Sequence, residues 1–217
     1  MLHRFTKKTM VIAVMLTATL GGVALTSQSV LASLNATAFN TTAQSISTAT
    51  LKLTQAASGQ AGLTAGFTTA VTGVAPGDTI NRFIDLTNGG TMNGQLMTIK
   101  LADATNTVLT TDPVNGLQVV VTECSVAFTA TTGACSGTTT TDLASTSANA
   151  IAATAQALTV SSTAAGAVVH LKFAISLPAG SETTANGVLP LGTVQGLTST
   201  LTWTFSETQR LATNTNA

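Results

Sequence analysis

Residues 197–206, LTSTLTWTFS, alternate strictly. Leu197, Leu201, Trp203 and Phe205 share one parity with the small Ser199, while Thr198, Thr200, Thr202, Thr204 and Ser206 share the other. Neighbouring side chains of a strand project to opposite faces, whereas a helix would scatter these residues around its circumference. The segment therefore predicts a strand with one apolar and one hydroxyl face. It carries the only Trp of the chain, and the rest of the fold must supply strands to cover it.

The same period recurs upstream. Val168–Leu177 sets Val169, Leu171, Phe173, Ile175 and Leu177 against Val168, His170, Lys172, Ala174 and Ser176, and Pro178 ends it. Thr79–Thr87 places Ile80, Arg82, Ile84 and Leu86 on one side, and Gln95–Leu101 aligns Met97, Ile99 and Leu101. Ser45–Thr54 turns Leu51 and Leu53 inward and Lys52 outward, and Phe67–Val74 is a shorter candidate. Ala56–Gly66 reads as loop. Thr105–Thr110 and Leu117–Glu123 read as a hairpin about the Asp112-Pro113-Val114-Asn115-Gly116 turn. Pro76-Gly77-Asp78 and Asn88-Gly89-Gly90 are turn chemistry. Ser136–Ala165 is rich in Thr, Ser and Ala and reads as loop, with a partial helix over Ala148–Leu158 on Ala propensity. About eight short strands split by turns and two long connections, 136–165 and 181–195, predict an all-β antiparallel sandwich of jelly-roll or immunoglobulin type. The long links favour crossing connections over a meander.

Residues 1–32 have the layout of a signal peptide: His3, Arg4, Lys7 and Lys8, then the uncharged run Met10–Leu25, then Val30-Leu31-Ala32 at the cleavage positions. The apolar run, broken by Thr17, Thr19, Gly21 and Gly22, is shorter than the ~20 residues of a spanning helix. Cleavage by signal peptidase between Ala32 and Ser33 is the expectation, leaving no stable membrane span. Ser33–Gln44, SLNATAFNTTAQ, would then open the mature chain, with Leu34, Ala36 and Ala38 on one parity. It could be a free tail, an edge strand of its own domain, or a strand added to a neighbouring molecule. The sandwich domain is expected over 45–209, and 210–217 as a polar tail. In an exported protein Cys124 and Cys135 are expected to form one disulfide, the alternative being two buried thiols.

Composition matters at this point because it limits partners. Charged residues make up 7% of the chain, and three of its eight Lys/Arg lie in the leader. The remainder is mildly acidic, with no basic footprint for nucleic acid and little charge to oppose self-association.

Enzyme chemistry finds little footing. His170 is the only His outside the leader and falls on the polar parity of its strand, where a solvated surface residue is expected. Asp78 and Asp85 read as a turn residue and a surface charge. There is no H-E-x-x-H, no G-x-S-x-G, no phosphate loop and no calcium-loop spacing of acids. No catalytic residue, cofactor or metal ligand is assigned.

Three stretches in order resemble the camelysin/TasA family of secreted biofilm-matrix proteins. They are Ala49-Thr50-Leu51-Lys52-Leu53 after a leader and short N-terminal strand; Val74-Ala75-Pro76-Gly77-Asp78 feeding Thr79–Thr87 and Asn88-Gly89-Gly90; and Leu201-Thr202-Trp203-Thr204-Phe205-Ser206-Glu207-Thr208-Gln209. The Cys124/Cys135 loop is similar to an elaboration of actinobacterial-type members. The resemblance implies a jelly-roll subunit of an extracellular fibre, a homopolymer in which the N-terminal segment of one copy completes a sheet of the next. Carried over, the donor is 33–44, with Leu34, Ala36 and Ala38 entering the groove. Some family members carry a metalloprotease label; this chain lacks the zinc ligands that chemistry needs. A secreted metalloprotease and a monomeric adhesion or carbohydrate-binding module are the competing readings. The second is weakened by a chain with no Tyr and a single Trp assigned to the core.

Overall fold

The computed structural model describes residues 47–57, 66–68, 70–180, 182 and 185–211. All of these but Ser47 belong to the compact unit Thr48–Ala217. The leader with its Ala32/Ser33 bond, the segment 33–44 with Leu34, Ala36 and Ala38, and all but the first two residues of the 210–217 tail lie outside the described residues. Eight strands are formed among the described residues: β1 Leu53–Ala57, β2 Thr79–Asn88, β3 Gly94–Asp103, β4 Gln118–Cys124, β5 Thr139–Ser147, β6 Gln156–Ala157, β7 Val168–Ser176 and β8 Leu201–Gln209. Among the described residues two short helices, α1 Val108–Thr111 and α2 Ala148–Ala153, sit on connections. No helix among the described residues is long and apolar enough to cross a membrane.

The strands make two sheets, one ordered β1-β2-β7-β4-β5 and one ordered β6-β3-β8. Every pairing is antiparallel. Consecutive β7 and β8 lie in different sheets, so the long link that includes 181–195 crosses as expected, and β2 and β3 also lie in different sheets although only the short 89–93 turn joins them. The inward parity of each strand meets in one core: Ile84 and Leu86, Met97, Ile99 and Leu101, Val119 and Val121, then Val169, Leu171, Phe173 and Ile175. This is the all-β antiparallel sandwich that the alternation predicted. Burial of these side chains, at roughly 25 cal/mol per Å² of apolar surface, is what holds the two sheets together.

Turn chemistry sets the strand starts. Asp78 Oδ2 accepts from the Ala75 N–H at 2.8 Å, its own N–H donates to Ala75 O at 3.0 Å, and Gly77 takes φ +95°. At the other end of β2 the buried Asn88 donates through Nδ2 to Met92 O and Thr163 O, and accepts from the Gly90 N–H. A side chain at Gly90 would strike Thr50 O, which is why this turn takes glycine.

Several expectations are corrected. Of the strand expected over 45–54, residues 45 and 46 lie outside the described residues, 47–52 are irregular, and β1 starts at Leu53 and runs on through Ala57, into the stretch read as loop. Phe67–Val74 is irregular in its described residues. Thr105–Thr110 makes no hairpin with Leu117–Glu123. Asp103 collects the N–H groups of Thr105 and Thr107, Asn106 turns to φ +52°, and the chain enters α1 instead. β4 pairs with β5 and β7. The 136–165 stretch contains β5 and β6, and its helix stops at Ala153, with the Ser147 hydroxyl capping it by accepting from the Ala150 N–H at 3.2 Å. The closing strand begins at Leu201, four residues later than its alternation suggested.

Candidate functional site

The smaller sheet covers only part of the larger one. The Thr159 N–H bonds Asp142 O at 3.2 Å, which puts the β6 side over β5. Phe173 meets Trp203 and Phe205 at ring-centroid distances of 5.7 and 5.9 Å, which puts β8 over β7. The position beside β8 therefore faces β2. A groove of about 500 Å³ lies at this side, near the start of β2 and the end of β7. Its floor is Ile80, Arg82, Ile175 and Leu177, and its walls include Phe67, Leu109, Leu117, Leu201 and Trp203. Arg82, opposite Phe173 in register, is buried, and burial lowers its pKa from the usual value.

β8 is the edge of its sheet, bonded to β3 along one side. Its parity is as predicted, with Leu201, Trp203 and Phe205 facing inward and alternating with exposed Thr202, Thr204 and Ser206, and Glu207 continues the inward side. The inward side chains are only half covered, however, so Trp203 is a wall of the groove and not the centre of a closed core. Phe67 provides the main contact there. It stacks on Trp203 at 5.2 Å, meets Phe173 edge-on at 5.1 Å and lies 6.5 Å from Phe205.

Two carboxylates hold the groove rim. Asp103 Oδ1 accepts from the Thr200 N–H at 3.2 Å, and Thr107 Oγ1 meets Ser199 Oγ at 2.5 Å. Burial raises the Asp103 pKa, but the Thr105 and Thr110 hydroxyls and the Thr105 and Thr107 N–H groups outweigh it and hold it far below the carboxylate range. Glu182 accepts from the Thr193 hydroxyl, from the Val194 N–H at 2.9 Å and from Gln195 Nε2 at 2.8 Å, and these bonds lower its pKa. Residues 194–200 are thereby pinned at both ends. The sequence signal for Asp103 was the D-A-T-N-T run, whose acid and hydroxyls favour local side chain–backbone bonds over a strand. The groove itself left no linear signal, since residues far apart in the chain build it.

Cys124 and Cys135 form the expected disulfide, with Cα atoms 5.7 Å apart. The loop it closes makes a second small core on the outward face of the larger sheet, where Phe128 meets Phe83 at 5.1 Å and 64°. Gly133, at φ +65°, crosses Phe83 so closely that a Cβ would sit 2.5 Å from the ring. His170 corrects its expectation. It is half-buried and its Nδ1 lies 2.8 Å from Asp85 Oδ1, its direct partner in the β2–β7 register. Asp85 is thus a partner and not a lone surface charge.

At the end of the sandwich away from the groove, Glu123 and Asp142 are buried acids. Burial and then the charge of Glu123 push the Asp142 carboxyl up to about 7. Among the described residues no three His, Cys, Asp or Glu side chains come together as metal ligands. Comparison with models of known protein families finds no match, and comparison with curated protein sequences finds none.

Proposed function

We propose that this chain is a secreted structural subunit that assembles head to tail into extracellular, biofilm-matrix-type fibres, residues 33–44 of one copy adding as a strand to the next. The observation that carries the reading is β8, a nine-residue edge strand whose apolar face is half covered beside an apolar groove. An edge with no second partner strand among the described residues, and with such a face, is a ready template for another strand. Strand addition would pair the outer backbone groups of β8 and bury alternate side chains. Leu34, Ala36 and Ala38 are the side chains offered to the groove. Such a contact does not close on itself, so it propagates. The resemblance to the camelysin/TasA family supports the same reading, as do the leader pattern ending at Ala32/Ser33 and the charge-poor composition.

The test uses the chain from Ser33 and a version lacking 33–44. The longer chain is expected to form filaments visible by electron microscopy, the shorter to stay monomeric. Adding a synthetic peptide of sequence 33–44 to the shorter chain should shift the emission of Trp203, the only Trp, to the blue. Filaments of equal length from both chains, or emission indifferent to the peptide, would refute strand addition. Casein cleavage that is lost on chelation and on changing His170 would instead favour the protease reading.

A further inference from the structure

Glu123 is at the end of β4 and Asp142 near the start of β5, the two residues being 4% and 5% exposed. The 158–166 connection, which crosses between the sheets, bonds to both residues, to the Glu123 carboxylate through Ser161 and to the Asp142 backbone oxygen through Thr159. Leu158 donates to Met97 O of β3, the Thr159 N–H to Asp142 O, and the Thr163 hydroxyl to Gly94 O. Each carboxylate oxygen of Glu123 accepts one bond from this connection and keeps a lone pair: Ser161 donates its N–H to Oε2 at 2.8 Å and its hydroxyl to Oε1. Asp142 is the opposite case. Both its carboxyl oxygens are closed to solvent and neither has a hydrogen-bond partner.

A buried carboxylate without a partner is strongly destabilising, and the second acid, which the β4–β5 register sets on the neighbouring strand, adds to that. The basic side chains of β7 do not offset it. His170 and Lys172 share the outward parity of that strand, with His170 engaged by Asp85. What the β4–β5 side of this end presents inward is a set of hard oxygens: the Glu123 and Asp142 carboxylates and the lone pairs of Ser161 Oγ, whose proton goes to Glu123. Glu207 of β8, whose carboxyl oxygens are also buried and without a hydrogen-bond partner, does not come together with them. Hard divalent cations take oxygen sets of this kind and complete them with carbonyls or water. We propose that Glu123, Asp142 and the Ser161 hydroxyl form a site for a divalent cation of the calcium class, which ties the 158–166 connection to the larger sheet. The acids are far apart in the chain and match no calcium-loop spacing, so the sequence gives no sign of it.

The test takes the purified chain from Ser33, strips it with EDTA and titrates it with CaCl2 at pH 7.5. Binding is read by calorimetry and the thermal midpoint by circular dichroism. One ion per chain is expected, with a Kd of about 0.1–1 mM as in extracellular calcium modules, and a rise in midpoint that saturates over the same range. D142N is expected to weaken binding at least tenfold while folding normally in EDTA, because it removes a like charge. S161A, which keeps both acids, should weaken it several-fold and is the second variant should D142N misfold. No saturable binding in the wild type, or binding in D142N and S161A as tight as in the wild type, overturns the proposal. So does a stability change across neutral pH that D142N abolishes but calcium leaves untouched, because the pair then holds a proton and not a cation.

Discussion

Asp103 is the side chain on which the groove rim depends most, and replacing it with Ala has a calculable cost. Five donors lose their acceptor: the Thr105 N–H and hydroxyl at 2.9 and 2.5 Å, the Thr107 N–H at 3.3 Å, the Thr110 hydroxyl at 2.5 Å and the Thr200 N–H at 3.2 Å. Thr105 and Thr200 are exposed and can turn to water. The Thr107 N–H and the Thr110 hydroxyl are part-buried, though Thr110 keeps a bond to Thr107 O at 3.1 Å. Leaving a buried donor unpaired costs about 1–3 kcal/mol and losing a hydrated one much less. Asp103→Ala should therefore destabilise the domain by about 2–3 kcal/mol. The assay is urea unfolding at pH 7 followed by Trp203 emission. The pH dependence follows from the depressed pKa of Asp103. Its contribution is complete above the unfolded value of about 4 and is lost as pH falls through the folded one. The gap between wild type and variant should thus be constant from pH 5 to 8 and narrow below pH 4. A gap under about 0.5 kcal/mol at pH 7, or one that persists unchanged at pH 3, would refute the account of the rim.

Three further perturbations probe other parts of the fold. Changing Cys124 and Cys135 to Ser together should cost about 2–3 kcal/mol for a loop this short, seen as a lower urea midpoint, and should free the Phe128 contact with Phe83. Gly133→Ala meets both a positive φ and the Phe83 ring, and is expected to cost about 1–3 kcal/mol by thermal melting. Phe67→Ala removes the ring that bridges Trp203 and Phe173; a loss of about 2–4 kcal/mol and red-shifted Trp203 emission are expected.

Long alternating stretches made the strands legible. β7, β2, β3 and β8 each pair an apolar parity with a polar one, and their inward residues are the ones the period named. β5 hid because its sequence, TTTDLASTS, offers Leu143 as its only large apolar side chain. It is an edge strand whose partner β4 fixes it through backbone bonds. The opposite error occurred at Leu197–Thr200, which alternates but has no strand to pair with. β3 ends at Asp103, opposite Leu201, and the chain before that point is held instead by Ala104 N to Thr200 O and by the Asp103 side chain. The disulfide was legible from two cysteines, but not the aromatic cap that its loop lays on Phe83. The groove and the Glu123–Asp142 pair were hidden for a common reason: each exists only where separate segments meet.

β8 has a direction, and an added strand must respect it. If β8 is the receiving edge, every copy joins in the same orientation, so the growing polymer has unequal tips. One tip shows a vacant groove and the other an unused N-terminal arm. A copy trimmed of residues 33–44 could still receive an arm but could not offer one, and would act as a stopper at a single tip. Filament length would then answer to the fraction of trimmed copies, without any change to the fold.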